Sequence, residues 1–307
     1  MKFSVFQTSS KGGRTINEDR MGYSYTRDSG FFVVADGMGG HPRGEVAAQI
    51  ALQAMTAAYK QAAKTRVKDP LSFLAAALLD AHQQILTYAR ERGMTDSPRT
   101  TVIAAMLQDN HAYWIHCGDS RLYLVRDAAL LVRTRDHSFA EQPPGGFLPN
   151  LPEDKHNRNV LFTCLGSPTK PIFDVAGPVE LQQGDKLLLC SDGLWGALNE
   201  ADIVLGLSVN SVDLVVPDLV HRALQKAGSG SDNVTVIALE WETPDAVGQD
   251  KTVTTLRLLE GQCSTTMQAY DREMGKETDM NDADIERSIA EINEAIRRTA
   301  NRRRIKP

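Results

Sequence analysis

Acidic side chains recur in this sequence where runs of apolar residues end. Asp36 follows Phe31-Phe32-Val33-Val34-Ala35 and precedes Gly37-Met38-Gly39-Gly40, and Asp192 follows Lys186–Ser191 and precedes Gly193-Leu194-Trp195. Asp119 follows the run from Ala112 to Gly118, Asp232 precedes the run from Asn233, and Glu18 and Asp19 are adjacent. A short apolar run suits a buried strand. A strand end is a rigid mount for a ligand, and a following glycine permits close backbone approach. A single Asp-Gly after a strand is commonly only a turn. Several carboxylates gathered in one place would instead need cations to offset desolvation and repulsion. Carboxylates, a backbone carbonyl and water are hard oxygen donors, which suit Mg²⁺ or Mn²⁺ rather than zinc. Spacing along the chain leaves open whether these acids converge.

The elements that must position them follow from hydrophobic period. Residues 3–8 alternate as a strand. Gly44 to Lys60 has a helical period, with Val46, Ile50 and Ala54 on one face. A second helix takes Asp69 as N-cap and Pro70 as its first residue, carries Leu71, Leu74, Leu78 and Ile85, and stops before Gly93. Thr101–Leu107 and Ala112–Cys117 predict a hairpin across Asp109-Asn110-His111. Arg121–Val125 and Leu130–Thr134 predict another across Asp127. Asn159–Leu165, Lys186–Cys190 and Asn233–Glu240 read as further strands, with helices over Glu200–Leu207 and Val212–Ala227. Ser138 to Lys155, rich in Pro, Gly and acid, reads as a flap. Hairpins and paired helices together predict an α+β domain built on antiparallel sheets. The domain is expected to span residues 1–242. A C-terminal extension, 243–307, would carry an amphipathic helix at about 281–303, with Ile285, Ile289, Ile292 and Ile296 as its stripe.

Composition narrows the classes. The chain has 307 residues, 42% of them hydrophobic and 24% charged, enough for one sizeable core. Its net charge of −5 argues against a nucleic-acid partner. Cys117, Cys164, Cys190 and Cys263 form no CxxC pair, so free thiols in a reducing compartment are expected. No run reaches the roughly 18 apolar residues of a membrane span, and the N-terminus lacks a signal-peptide pattern, so a cytoplasmic monomer is expected.

The ordered motifs resemble the bacterial type of the type 2C metal-dependent serine/threonine protein phosphatases. The matching runs are Arg14-Thr15-Ile16-Asn17-Glu18-Asp19, Val34-Ala35-Asp36-Gly37-Met38-Gly39-Gly40, Thr100-Thr101, Cys117-Gly118-Asp119-Ser120-Arg121, Asp136-His137-Ser138, Leu189-Cys190-Ser191-Asp192-Gly193-Leu194-Trp195 and Asp232-Asn233-Val234-Thr235. The resemblance implies a four-layer α-β-β-α sandwich of two antiparallel sheets flanked by helix pairs. It implies two Mn²⁺ or Mg²⁺ ions, with a third site in bacterial members. Asp36 would bridge two ions and the Gly37 carbonyl would bind one, while Asp192 and Asp232 complete the other. Glu18 would act through water on the metal with Asp19 beside it, Asp119 would serve the third ion with Asp192, and Arg14 would grip the substrate phosphate. Asp36 and Arg14 are the residues expected to carry catalysis, in which water activated by the cations attacks phosphorus. The partner implied is a phosphoprotein, a serine/threonine kinase or its target.

Met38 stands where eukaryotic members often carry a histidine, and Pro98-Arg99 stands where the family usually has Gly before Thr100-Thr101. His41 is expected to be a loop histidine at the site rim, and His137 to be structural. A non-catalytic phosphoprotein-binding module would keep the metal and lose turnover, and the intact ligand set disfavours it.

Overall fold

A computed structural model of the chain describes residues 1–63, 66–141, 160–242, 252–254, 258 and 262–268. The elements in chain order begin with β1 (Lys2–Ser10), β2 (Arg20–Tyr25), β3 (Ser29–Ala35), α1 (Gly44–Ala62) and α2 (Pro70–Glu91). The middle of the chain forms β4 (Val102–Gln108), β5 (His111–Cys117), β6 (Arg121–Arg126), β7 (Ala129–Arg133), β8 (Asp174–Glu180) and β9 (Lys186–Cys190). Then come α3 (Asp192–Trp195), α4 (Glu200–Val209), α5 (Val212–Ala227), β10 (Val234–Glu242), β11 (Thr252–Thr254) and β12 (Ser264–Met267).

The strands form two six-stranded antiparallel sheets, ordered β11-β1-β10-β9-β6-β7 and β12-β2-β3-β4-β5-β8. The central strands are apolar throughout because both faces are covered. In β3, Phe31, Val33 and Ala35 face α1 and α2, while Phe32 and Val34 face the other sheet. In β9, Leu188 and Cys190 face α4 and α5, while Leu187 and Leu189 face inward. Burying a Leu- or Phe-sized side chain stabilises by about 1.5–3 kcal/mol, so each layer contact is held by several such residues. The α+β four-layer sandwich is thus as expected.

Local signals explain several boundaries. The Asp69 carboxylate accepts from Ser72 N at 3.1 Å, ahead of Pro70 in the first turn of α2. Gly93, with φ 60°, ends that helix. Asp109 (φ 57°) and Asn110 (φ 59°) form the two-residue turn between β4 and β5.

Other expectations change. Of the strand expected over Asn159–Leu165, the described residues 160–165 form none: Leu161 and Leu165 make isolated bridges to Ser138 and Thr100. β2 and β8 arise from stretches to which hydrophobic period assigns no strand. The sheets also extend past residue 242, for β11 pairs with β1 and β12 with β2. Ser24 and Thr265 share a buried hydrogen bond at 2.9 Å across that second pairing. The helix expected at about 281–303, and most of the flap, lie outside the described residues.

Candidate metal and phosphate site

Antiparallel pairing carries the acids to one end of the sandwich. Ser10 lies opposite Val234, Arg20 opposite Ala35, Val102 opposite Cys117, and Arg121 and Val236 both lie opposite Cys190. The ends of β1, β3, β5 and β9 and the starts of β2, β6 and β10 therefore share one rim. Asp36, Asp119, Asp192 and Asp232 are each within two residues of such an end.

Asp36 occupies the middle of the cluster. Its carboxyl group lies close enough to those of Asp19, Asp192, Asp119 and Asp232 to interact with each of them. Burial pushes Asp36 well above the ordinary carboxylate range, and Asp19, Asp192, Asp119 and Asp232 add to the rise. Asp192 is raised well above its usual value by burial and then by Asp119 and Asp232. Burial raises Asp119 to about 7 and Asp19 to about 6. Glu18 is raised by burial and by Glu45. Packing acids at this density penalises every negative charge, and cations would relieve all of them together.

The backbone around Asp36 is tightly held. Thr100 Oγ1 and Thr101 N both donate to the Asp36 carbonyl at 2.8 Å, and Met38 N donates to Arg99 O at 3.0 Å. Pro98-Arg99 therefore accommodates this link without the usual glycine. Gly37 passes the start of α1 so closely that a Cβ on it would lie 2.4 Å from Gly44 C. Side chains brace the other candidate ligands. Ser191 Oγ donates to Asp19 Oδ2 at 2.7 Å. Asn233 Oδ1 accepts from Glu18 N at 2.8 Å, and its Nδ2 donates to Lys11 O and Ile16 O. Trp195 Nε1 donates to Asp119 O at 3.0 Å, and the Arg121 guanidinium, paired with Asp136, lies 3.6 Å over the Trp195 ring.

Arg14 stands at the exposed edge, with Nη2 2.6 Å from Asp232 Oδ2. His41 lies in the loop after Asp36, its Nδ1 2.9 Å from Asp96 Oδ2, and Arg99 Nη2 holds the other Asp96 oxygen at 3.1 Å. His41 is thus a rim histidine, anchored by Asp96, which no motif or hydrophobic period singles out. Asp19 is the other residue that sequence reasoning undervalued. It is fully buried, and its Oδ1 has no hydrogen-bond partner. An orphaned buried carboxylate oxygen among all-oxygen donors fits a hard divalent cation or its water shell.

Another cluster tests the alternatives. One nitrogen each of His116 and His137 and an oxygen of Asp174 lie within 4.8 Å of one another. The two rings are stacked face to face, 4.5 Å apart and 13° from parallel. Ring nitrogens bind metals in the ring plane, so these lone pairs do not converge. His137 Nδ1 already accepts from Gly118 N, and His116 Nε2 donates to Arg135 O at 2.7 Å. Burial lowers His137 to about 4, keeping it neutral. This pair is structural support for the 116–119 segment. A cavity of about 520 Å³, lined by Lys2, Asp28, Arg66, Asp109, Trp241 and Glu242, lies at the opposite end of the strands.

Residues 7–217 match the family model described as Protein phosphatase 2C. The serine/threonine phosphatase stp of Listeria innocua is 30% identical over 241 residues, covering 76% of this chain and 94% of that protein. The structure of the serine/threonine phosphatase PstP/Ppp of Mycobacterium tuberculosis is 29% identical with a TM-score of 0.64, covering 79% of this chain and all of that one. A PstP catalytic domain in complex with two manganese ions gives 29% identity and a TM-score of 0.62, covering 79% and 99%. PppA, described as a key regulatory component of T6SS in Pseudomonas aeruginosa, is 25% identical with a TM-score of 0.60, covering 78% and 97%. Sheet topology, the clustered acids and these likenesses agree, and the chain belongs to the protein phosphatase 2C family.

Proposed function

We propose that this protein phosphatase hydrolyses phosphoserine and phosphothreonine in protein substrates at the acid cluster centred on Asp36, with Mn²⁺ or Mg²⁺ as cofactor. The observation that carries the reading is the clustering itself. Asp19 is fully buried with one carboxylate oxygen unpartnered, and burial and repulsion raise Asp36, Asp192, Asp119 and Asp19 together. Asp36, the Gly37 carbonyl, Asp192 and Asp232 would hold two cations, and Asp119 with Asp192 a third. Glu18 and Asp19 would orient coordinated water.

Bound cations would supply the acidity that makes water a nucleophile at neutral pH and the positive charge that offsets the phosphoryl oxygens. The chain supplies the rest. Arg14, exposed and held by Asp232, offers paired N–H donors to a phosphate. Thr100 and Thr101 fix the carbonyl of Asp36, so its carboxylate cannot drift as charge develops. The buried hydrogen bond from Ser191 keeps Asp19 aimed at the cluster. A kinase that makes the phosphoprotein, or that kinase's targets, is the partner class this activity serves, with the chain acting as a monomer in the cytoplasm.

The test is hydrolysis of a phosphothreonine peptide by the full chain with Mn²⁺ and with EDTA. Turnover that survives EDTA, or an Asp36→Asn variant as fast as the parent, would sink the reading.

A further inference from the structure

The loop after Asp36 carries a cationic feature that the hydrolysis does not use. Arg43 is the N-cap of α1, with φ 61° and ψ 50°, in the left-handed region. That backbone favours glycine or asparagine, so an arginine there carries local strain. Its side chain makes no capping hydrogen bond, and its Nε is 3.9 Å from Glu45 Oε1, the limit of an ion pair. Instead Nη1 donates to the Tyr88 hydroxyl at 3.1 Å. The Arg92 guanidinium lies 3.8 Å over the same Tyr88 ring. Arg92 caps the end of α2, four residues after Tyr88, so the start of α1 and the end of α2 each bring one guanidinium to a shared aromatic platform. Arg92 is exposed, and so is Arg43. Two exposed cations side by side run against the chain's net charge of −5.

The pair adjoins the acid cluster. A Cβ on Gly44, the residue after Arg43, would lie 3.1 Å from Glu18 Oε1. One on Gly39, in the same loop, would lie 3.9 Å from Arg14 Nη1. The segment from Gly39 to Gly44 thus links Arg14 and Glu18 to Arg43, and Arg43 to Tyr88 and Arg92. A peptide whose phosphate sits at Arg14 would lay its flanking residues along it.

We propose that Arg43 and Arg92 form a subsite for acidic side chains flanking the phosphorylated residue, so that acidic phosphopeptides are the favoured substrates. The proposal rests on the phosphatase reading above. Guanidiniums pair with carboxylates in a two-pronged geometry that Tyr88 helps to pre-orient. Two exposed ion pairs support a preference of about tenfold, weakened by salt.

The experiment uses the full chain with Mn²⁺ and two phosphothreonine peptides that differ only in flanks, aspartate in one and asparagine in the other. At low ionic strength the aspartate peptide should have the higher kcat/KM by about tenfold, mostly through KM, and the gap should narrow in 0.5 M salt. In an R43A/R92A double variant the ratio should fall to near one, while R43K/R92K should keep much of it. Because the ratio is taken within each variant, partial misfolding does not mimic the effect. Equal hydrolysis of both peptides by the parent, or a preference that survives R43A/R92A, would overturn the subsite alone. Hydrolysis of neither would overturn the phosphatase reading and the subsite with it.

Discussion

Asp36 is crowded by four other acids, and its backbone is pinned by a pair of threonines. Replacing it with asparagine keeps the shape and removes the central charge. Asp36→Asn should lower kcat by about a thousandfold or more, since a central ligand's contribution is several kcal/mol. Steady-state assay at saturating Mn²⁺ checks this, and a loss below tenfold would argue that another acid is central. Arg14→Ala should lower kcat/KM by about ten- to a hundredfold, the range for a charged hydrogen bond. The same loss should appear with p-nitrophenyl phosphate, because the contact is to phosphate rather than to peptide. The acids were legible as candidates because each ends or begins an apolar run, whereas their roles and that of Arg14 came only from the family resemblance. The convergence of the acids was not legible, because pairings such as Ser10 with Val234 join distant parts of the chain. Asp96 was invisible for another reason: it lies in a short link without period, and only the fold brings it to His41.

Among the elements, the crossing of Gly37 and Gly44 sets where the Gly37 carbonyl can point. A methyl on Gly44 would meet Gly37 C at 2.9 Å and Glu18 Oε1 at 3.1 Å. Gly44→Ala should therefore weaken Mn²⁺ binding by about ten- to a hundredfold, the usual effect of disturbing a ligand's support. Titration calorimetry on the folded variant reads this directly. The edges make another prediction. Because β11 and β12 cover β1 and β2, deletion after residue 242 exposes two strand edges, whereas deletion after 268 exposes neither. The shorter chain should melt earlier and aggregate more than the longer one, as followed by light scattering during a thermal ramp. Neither edge strand carries a period long enough to read, and β8 holds Gly177-Pro178, which period analysis counts as a break. A proline is tolerated there because β8 is itself an edge strand beside a bulge. The hairpins and helix caps were legible because their signals are local: Asp69-Pro70 and Asp109-Asn110 need no partner from elsewhere.

For the whole molecule, the crowded acids couple stability to pH. Asp119 is raised to about 7 and Asp19 to about 6 from an ordinary value of 3.8, so the folded chain holds these protons more tightly than the unfolded chain does. Their stabilising effect is complete below about pH 4 and is lost as pH rises through 6 to 7. Cations bind the ionised carboxylates and compete with those protons. The rise in Tm on adding Mn²⁺ to EDTA-treated protein should be larger at pH 8 than at pH 5.5, measured by calorimetry. An equal rise at both would place the cation elsewhere.

The candidate ligands are divided between the two layers. Asp36 and Gly37 extend from a strand of one sheet, Asp192 and Asp232 adjoin strands of the other, and residues 118–120 cross between them. A cation shared by these groups would act as a rivet through the sandwich, so that the sheets could not part without breaking coordination bonds. Amide hydrogen exchange should then slow in β3 and β9 on adding Mn²⁺, with little change in the outer turns of α4 and α5.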